Sequence, residues 1–289
     1  MPFGPSELIL NADQGIYHLN LVPEDISDTI ITVGDPDRVA EVSSYFDSIE
    51  LKKGKREFVT HTGVKKGKRL TVISTGIGTD NIDIVLNELD ALVNIDFKSR
   101  SVKKELTKLD IIRIGTSGAI QADIPIDSFL ISEYALGLDA LLSSYDRTSF
   151  EQSDFEQAFL NQVEWSSEKP TPYSVECSRS LLALFFENRI RLGTTVTASG
   201  FYGPQFRTLR LKKSNQTTLR NLTDFSYRNR RLTNLEMETA GIYGLSKLLG
   251  HRAISLNAIL ANRITGDFSN NPRRTVAELI EYTLDKLTV

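Results

Sequence analysis

Thr29-Ile30-Ile31-Thr32-Val33-Gly34-Asp35-Pro36-Asp37-Arg38 decides the fold class. The run Thr29 to Val33 is short and wholly β-branched, so it reads as a strand, and one buried on both faces. Gly34 interrupts it, Pro36 suits the first turn of a helix, and Arg38 sits one turn in. Further short apolar runs, at Leu70 to Ser74, Ile111 to Gly115, Phe129 to Ser132, Thr194 to Ala198 and Ala253 to Ile259, predict strands of the same kind. Helical patterns lie between and after them, over Pro36 to Phe46, Asn81 to Val93, Ser174 to Asn188, Glu238 to Leu249 and Thr275 to Leu287. The last shows a 3.6-residue stripe at Val276, Leu279, Ile280, Leu284 and Leu287. Strands interleaved with helices imply an α/β fold with a largely parallel sheet covered on both faces. No linker composition or internal repeat divides the chain, so residues 1–289 are expected to form a single domain.

Bulk properties narrow the function classes. The 289 residues carry 40% hydrophobic and 25% charged side chains and a formal net charge of -3. That balance gives no global attraction to nucleic acid or to an anionic membrane. An anionic ligand therefore needs a local cluster of arginines. The single cysteine, Cys177, permits no internal disulfide and no CxxC metal pattern, and reads as a buried thiol. Met1 to Asn20 lacks the basic start and apolar run of a signal peptide, and no stretch reaches the ~18 apolar residues of a membrane span. A cytoplasmic location is expected. Arg207 to Arg231 holds eight basic residues, Lys213 among them, against the single acid Asp224. No aromatic platform accompanies them, so a mobile or subunit-facing loop is favoured over a nucleic-acid patch.

In parallel α/β sheets ligands bind beyond the carboxyl ends of the strands, so the residues there carry the functional reading. Gly34 to Arg38 combines a close backbone approach, helix-end N–H groups and a guanidinium, which together suit an anion. Ser74 to Asn81 is Gly-rich but lacks the third glycine of a dinucleotide loop and the lysine of a P-loop. Arg113 lies inside an otherwise apolar strand and must have a partner, either a structural salt bridge or a bound anion at the strand end. Glu236 and Glu238 straddle Met237 just before an apolar helix. Paired acids fit a glycosidase couple, metal ligands or clamps on sugar hydroxyls. The three histidines, His18, His61 and His251, are too scattered for a transition-metal site.

In order along the chain, GDPDR, STGIG, RIGTSGAI, FYGPQFR, EMETAGIY and the late NR pair resemble the nucleoside phosphorylases of the uridine and purine type. The resemblance runs from about His18 to the C-terminus, and within the family it is greatest to members that cleave uridine. It implies a three-layer α/β/α sandwich with a mixed, partly barrel-like central sheet. It implies phosphate-dependent cleavage of a pyrimidine nucleoside, with inorganic phosphate as co-substrate and no organic cofactor or metal. Gly34, Arg38, Arg113 and Thr116 match phosphate-binding positions, and Arg56 matches an arginine given to phosphate by a neighbouring subunit. His18 matches a residue that reaches the ribose 5′-hydroxyl across the same interface. Met237 and Glu238, with Glu236 beside them, match the ribose site. Gln205 and Arg207 match the pair that reads the base edge, Phe201 the ring packed on the base, and Asn262 and Arg263 the late base-site positions. Arg38, Arg113, Glu238 and Arg207 would carry catalysis. Shared sites imply a homo-oligomer with a dimer as its smallest unit, and a hexamer is possible.

The chemistry is coherent without the resemblance. Breaking an N-glycosidic bond builds positive charge on the ribose and negative charge on the base; phosphate under the sugar answers the first and Arg207 the second. Relatives acting on purines often place an Asp where Asn262 stands, which favours a pyrimidine here over a purine. A hydrolase or a non-catalytic binding protein of the same fold would be expected to lose the arginines or Glu238. The chain departs from the family pattern at Thr79-Asp80-Asn81, where Gly-Pro-Ser is more usual, at Lys55 in place of a histidine, and at Gly203-Pro204 in reversed order. The first departure leaves open a monovalent-cation site that some relatives build with the residue matching Glu57.

Overall fold

The computed structural model describes residues 2–148, 153–188, 190–212 and 218–288. Strand β1 (Thr29–Val33) feeds α1 (Pro36–Ser43), followed by the antiparallel β2 (Ser48–Lys55), β3 (Phe58–Lys65) and β4 (Lys68–Ser74). Helix α2 (Thr79–Asn94) leads through the short pair β5 (Ile95–Asp96) and β6 (Ser101–Val102) to β7 (Asp110–Ala119) and β8 (Phe129–Gly137). Then come α3 (Asp154–Val163), β9 (Tyr173–Glu176), α4 (Arg179–Phe185) and β10 (Arg191–Thr197). The chain ends with α5 (Leu219–Asp224), β11 (Ser226–Tyr227), β12 (Arg230–Glu236), α6 (Thr239–Leu249), β13 (Arg252–Asn262) and α7 (Pro272–Leu287).

The main sheet runs in the order β11-β12-β10-β8-β13-β7-β1-β4-β3-β2, with β9 beside β8. It is mixed: β1 pairs in parallel with β4 and β7, whereas β13 is parallel to β7 and antiparallel to β8. Strand β12 also pairs with β7 through Asn234↔Ala119 and Leu235↔Gly118, which closes β7, β13, β8, β10 and β12 into a barrel. Register shifts at Gly193/Thr194, Thr194/Thr195 and Ile259/Ala261 supply the bends that closure needs. This is the α/β/α sandwich with a partly barrel-like sheet that the strand–helix alternation and the resemblance imply.

Hydrophobic burial fixes the layers. Ile30, Ile31, Ile111, Ile112, Ile254 and Leu256 are almost wholly inaccessible, as expected for strands covered on both faces. Helix α6 packs on β8, β10 and β13 and against α2, while α7 lies on β7 and β13. The Tyr282 hydroxyl of α7 donates to the Phe185 carbonyl of α4 and ties those helices together. A second apolar cluster, including Phe155, Phe159, Phe225 and Leu232, joins α3 and α5 to the barrel. No helix among the described residues is long and apolar enough to cross a membrane.

Two expected elements differ. The helix expected over Ser174 to Asn188 is β9 followed by the short α4, because Tyr173 to Glu176 pairs with β8 before the chain turns at Cys177. Cys177 itself is buried, and burial pushes its thiol up to about 12. The basic stretch from Arg207 to Arg231 is also not one loop, since it contains α5, β11 and the start of β12. Arg220, Arg228 and Arg231 are paired with Asp224, Asp154 and Asp123, and Arg230 stacks over Tyr134. Lys213 lies outside the described residues.

Candidate active site

Residues at and beyond the carboxyl ends of β1, β4, β10, β12 and β13 meet those of β7 from Arg113 onward around a cavity of about 670 Å³. One end carries two arginines, Arg38 and Arg113. Arg38 reaches it from α1, whose start is fixed by Pro36 and by the Asp35 carboxylate accepting from the Asp37 N–H at 3.0 Å. Arg38 Nε is buried and without a hydrogen-bond partner in the described structure. Burial draws this guanidinium below its ordinary value, with Asp35 opposing and Arg113 assisting. Such an orphaned donor among backbone turns at Gly34 and Gly76 is suited to an anionic ligand.

Arg113, on β7, is 5% exposed. Its Nη2 lies 3.0 Å from Glu236 Oε2 and 2.6 Å from Glu238 Oε2. Burial pulls its pKa down, but the two carboxylates outweigh that pull and hold it above the ordinary value. Its guanidinium folds back over Gly115: a Cβ there would lie 1.8 Å from Arg113 Nη1, so no other residue fits without displacing it. The adjoining Thr116 lines the cavity.

The two acids occupy different environments. Glu236 is saturated: it accepts from Thr197 Oγ1 at 2.5 Å, from the Glu238 N–H, and from both the N–H and the hydroxyl of Thr239. It thereby caps the start of α6. Among the described residues, Glu238 accepts only from Arg113 and from the Gly78 N–H at 2.9 Å. Burial lifts its carboxyl above the usual carboxylate range, against Arg113 and with a push from Glu236. Gly78 and Gly76 both adopt positive φ (99° and 69°), which is how the turn after β4 presents its N–H to Glu238. Met237 lines the cavity between the two acids.

The other end is built by the loop after β10. Gln205 is buried, its Nε2 donating to the Glu236 carbonyl at 3.4 Å. Arg207 Nη1 donates to Gln205 Oε1 at 2.6 Å and to the Phe201 carbonyl at 2.7 Å, and its guanidinium lies 3.7 Å over the Phe201 ring. Burial and then the neighbouring Arg263 draw Arg207 down to about 10. Phe201, Gln205 and Arg207 all face the cavity, and Arg263 Nη1 holds the loop through the Gln205 carbonyl at 3.1 Å.

Four expected site residues do not line this cavity: Asn262, Arg263, His18 and Arg56, of which Arg263 acts on it only through the Gln205 carbonyl. Asn262 is 3% exposed and its Nδ2 donates to the Gln121 and Ile124 carbonyls at 2.9 Å each. Its Oδ1 accepts from the Ile264 and Thr265 N–H groups, so the side chain is wholly occupied in holding loops together. His18 lies elsewhere, its Nδ1 2.6 Å from Glu88 Oε1 and its ring lining a separate groove. Arg56 occupies the β2–β3 turn at φ 58°. Conversely, Glu57, Asn81, Ser117 and Phe268 line the cavity without having been singled out as its walls. Only the neighbours of Arg56, Gly76 and Thr116 in sequence marked the first three.

The Phosphorylase superfamily model matches residues 28–285. The chain belongs to the phosphorylase superfamily. It is similar to a uridine phosphorylase of Thermococcus kodakarensis, with 32% identity over 90% of this chain and 82% of that one. It is 27% identical to a DeoD-type purine nucleoside phosphorylase of Bacillus cereus, over 93% of this chain and 97% of that one. Among solved structures, a nucleoside phosphorylase of Trypanosoma brucei described as showing uridine phosphorylase activity superposes with a TM-score of 0.86. That match has 28% identity and covers 97% of this chain and 99% of the other.

Proposed function

We propose that the chain is a nucleoside phosphorylase that converts uridine and phosphate to uracil and ribose 1-phosphate. The observation that carries this reading is one cavity with opposed chemical ends. Arg38 and Arg113 meet beside Glu238 at one end, and the Gln205–Arg207 pair lies at the other. Gly34, Arg38, Arg113 and Thr116 would hold phosphate, Met237 and Glu238 the ribose, with Glu236 fixing Arg113 and the helix start. Phe201, Gln205 and Arg207 would take the base.

Phosphate oxygen attacks C1′ as the bond from C1′ to the base nitrogen breaks. The bonding pair leaves with uracil and spreads onto its carbonyl oxygens, where Arg207 stabilises it; solvent later returns a proton. Held phosphate contributes orientation and a charge that balances the oxocarbenium-like ribose. The base end supports a pyrimidine through the Gln205 amide and the Arg207 guanidinium, which suit a departing carbonyl oxygen. The likeness to the Thermococcus and Trypanosoma proteins supports the same assignment.

Base release from uridine, thymidine, inosine and adenosine, followed with and without phosphate, tests the proposal. Phosphate-dependent release of uracil is expected; cleavage indifferent to phosphate, or inosine cleaved in preference to uridine, refutes it. His18 and Arg56 lie off the cavity of their own chain, and we assign them to a partner's site in a homo-oligomer. Mixing inactive Arg56→Ala and Arg113→Ala subunits should then restore activity, and mixed oligomers that stay inactive exclude shared sites.

A further inference from the structure

A file of buried polar side chains crosses every strand of the closed barrel and ends in the cavity. Arg113 Nη1 donates to Asn257 Oδ1 at 3.3 Å, and Asn257 Nδ2 donates to Ser132 Oγ at 3.0 Å. Ser132 Oγ lies 2.5 Å from Thr195 Oγ1, which donates to Asn234 Oδ1 at 2.9 Å. Asn234 Nδ2 then donates to Ser117 Oγ at 2.8 Å. These residues come in turn from β7, β13, β8, β10, β12 and β7 again, and all are buried.

The direction of the file follows from its first member. A guanidinium has donors only, so Arg113 fixes which end of the Asn257 amide is oxygen. Asn257 therefore donates to Ser132, the Ser132 proton goes to Thr195, and the Thr195 proton goes to Asn234. Turning the Asn234 amide over would leave the hydroxyl proton of Ser132 or of Thr195 buried without an acceptor, a costly state. The Thr233 hydroxyl, shared between the Thr194 carbonyl and Asn234 Oδ1, is compatible with this direction. Ser117 Oγ thus always receives, and its own proton has no acceptor in the described protein. It lines the cavity that also holds Gln205 and Arg207.

We infer that Ser117 is a specificity-determining residue: it presents an obligate hydroxyl donor to the base, and Asn257, Ser132, Thr195 and Asn234 are positioning residues that impose that polarity from Arg113. The site accordingly takes a base offering a carbonyl oxygen there and discriminates against one offering an amino group. The inference rests on the proposed nucleoside reading and adds to it the polarity of the base subsite.

The test compares wild type with Ser117→Ala, Ser117→Thr, Asn234→Asp and the double variant Ser117→Ala/Asn234→Asp, each checked for wild-type-like melting. KM for uridine is measured at saturating phosphate, and KM for phosphate at saturating uridine. Ser117→Ala should raise KM for uridine about two- to tenfold, the range for one neutral hydrogen bond, with KM for phosphate unchanged. Ser117→Thr keeps the hydroxyl and should restore the wild-type value. Asn234→Asp offers Ser117 an acceptor in place of a donor, so it should show the same loss, with no further loss in the double variant. An unchanged KM for uridine in Ser117→Ala, or additive losses in the double variant, overturns the inference while uridine turnover by the wild type leaves the functional reading standing. A wild type that releases no uracil removes both.

Discussion

Replacing Arg113 by Met isolates the most expensive group in the site. The side chain length is nearly kept, but Glu236 and Glu238, each below one-tenth exposed, lose their cation. The consequences fall unequally. Glu236 keeps donors from Thr197, Glu238 and Thr239, whereas Glu238 retains only the Gly78 N–H. Breaking a buried pair by removing one partner costs about 3–5 kcal/mol. At roughly 2–4 °C per kcal/mol for chains of this order, the melting temperature should drop by about 6–20 °C. The drop should depend on pH in a defined direction. Burial already raises the Glu238 carboxyl, and without Arg113 it rises further. A carboxyl raised in the folded state favours folding fully only below its unfolded value, near 4.3, and that contribution is lost as pH rises through the folded value. The deficit between wild type and variant should therefore be smaller at pH 5 than at pH 8. Thermal unfolding of both proteins at the two pH values decides the matter. A deficit under about 3 °C, or one equal at both pH values, refutes the reading of Arg113 as the counter-charge of a strained carboxylate.

Arg207→Ala should lower kcat/KM for uridine by about 1–3 kcal/mol while leaving KM for phosphate alone, as measured by steady-state kinetics with each substrate varied. Gly115→Ala places a methyl 1.8 Å from Arg113 Nη1, so the guanidinium must leave its carboxylates; turnover should fall more than about tenfold, and an active variant contradicts the geometry. Asn262→Asp removes two donors from the Gln121 and Ile124 carbonyls and should destabilise the fold by about 1–3 kcal/mol without creating inosine cleavage, readable from melting and a single inosine assay.

The sheet centre was legible because β1, β7 and β13 are mainly apolar and buried, with Arg113, Ser255 and Asn257 among the polar exceptions. The β2–β3 hairpin escaped notice for the opposite reason. Ser48 to Lys55 is a mostly exposed edge strand rich in lysine, and such charges guard an edge without marking a strand. Only Arg230 and Arg231 of strand β12 fall in the basic stretch expected to be a loop, and Thr233, Asn234 and Glu236 break up the apolar run that would mark the rest as a strand. Arg113 announced itself by being a charge among isoleucines. Asn262 misled, since a buried amide that satisfies carbonyls is spelled the same way as one that reads a ligand. The relation between Arg113 and Gly115 was present in the sequence but needed side-chain geometry to be seen.

The insertion of β13 between β7 and β8 has a consequence for the order in which the molecule is made. Residues 110–137 emerge from the ribosome long before 252–262, yet the later strand is the one that joins the earlier two. Until it arrives, the nascent chain carries two apolar strands with unsatisfied flanks and no barrel, a state prone to misassociation. The candidate site is thus incomplete until β13 is made, and residues 252–262 act as the keystone of the strands translated before them.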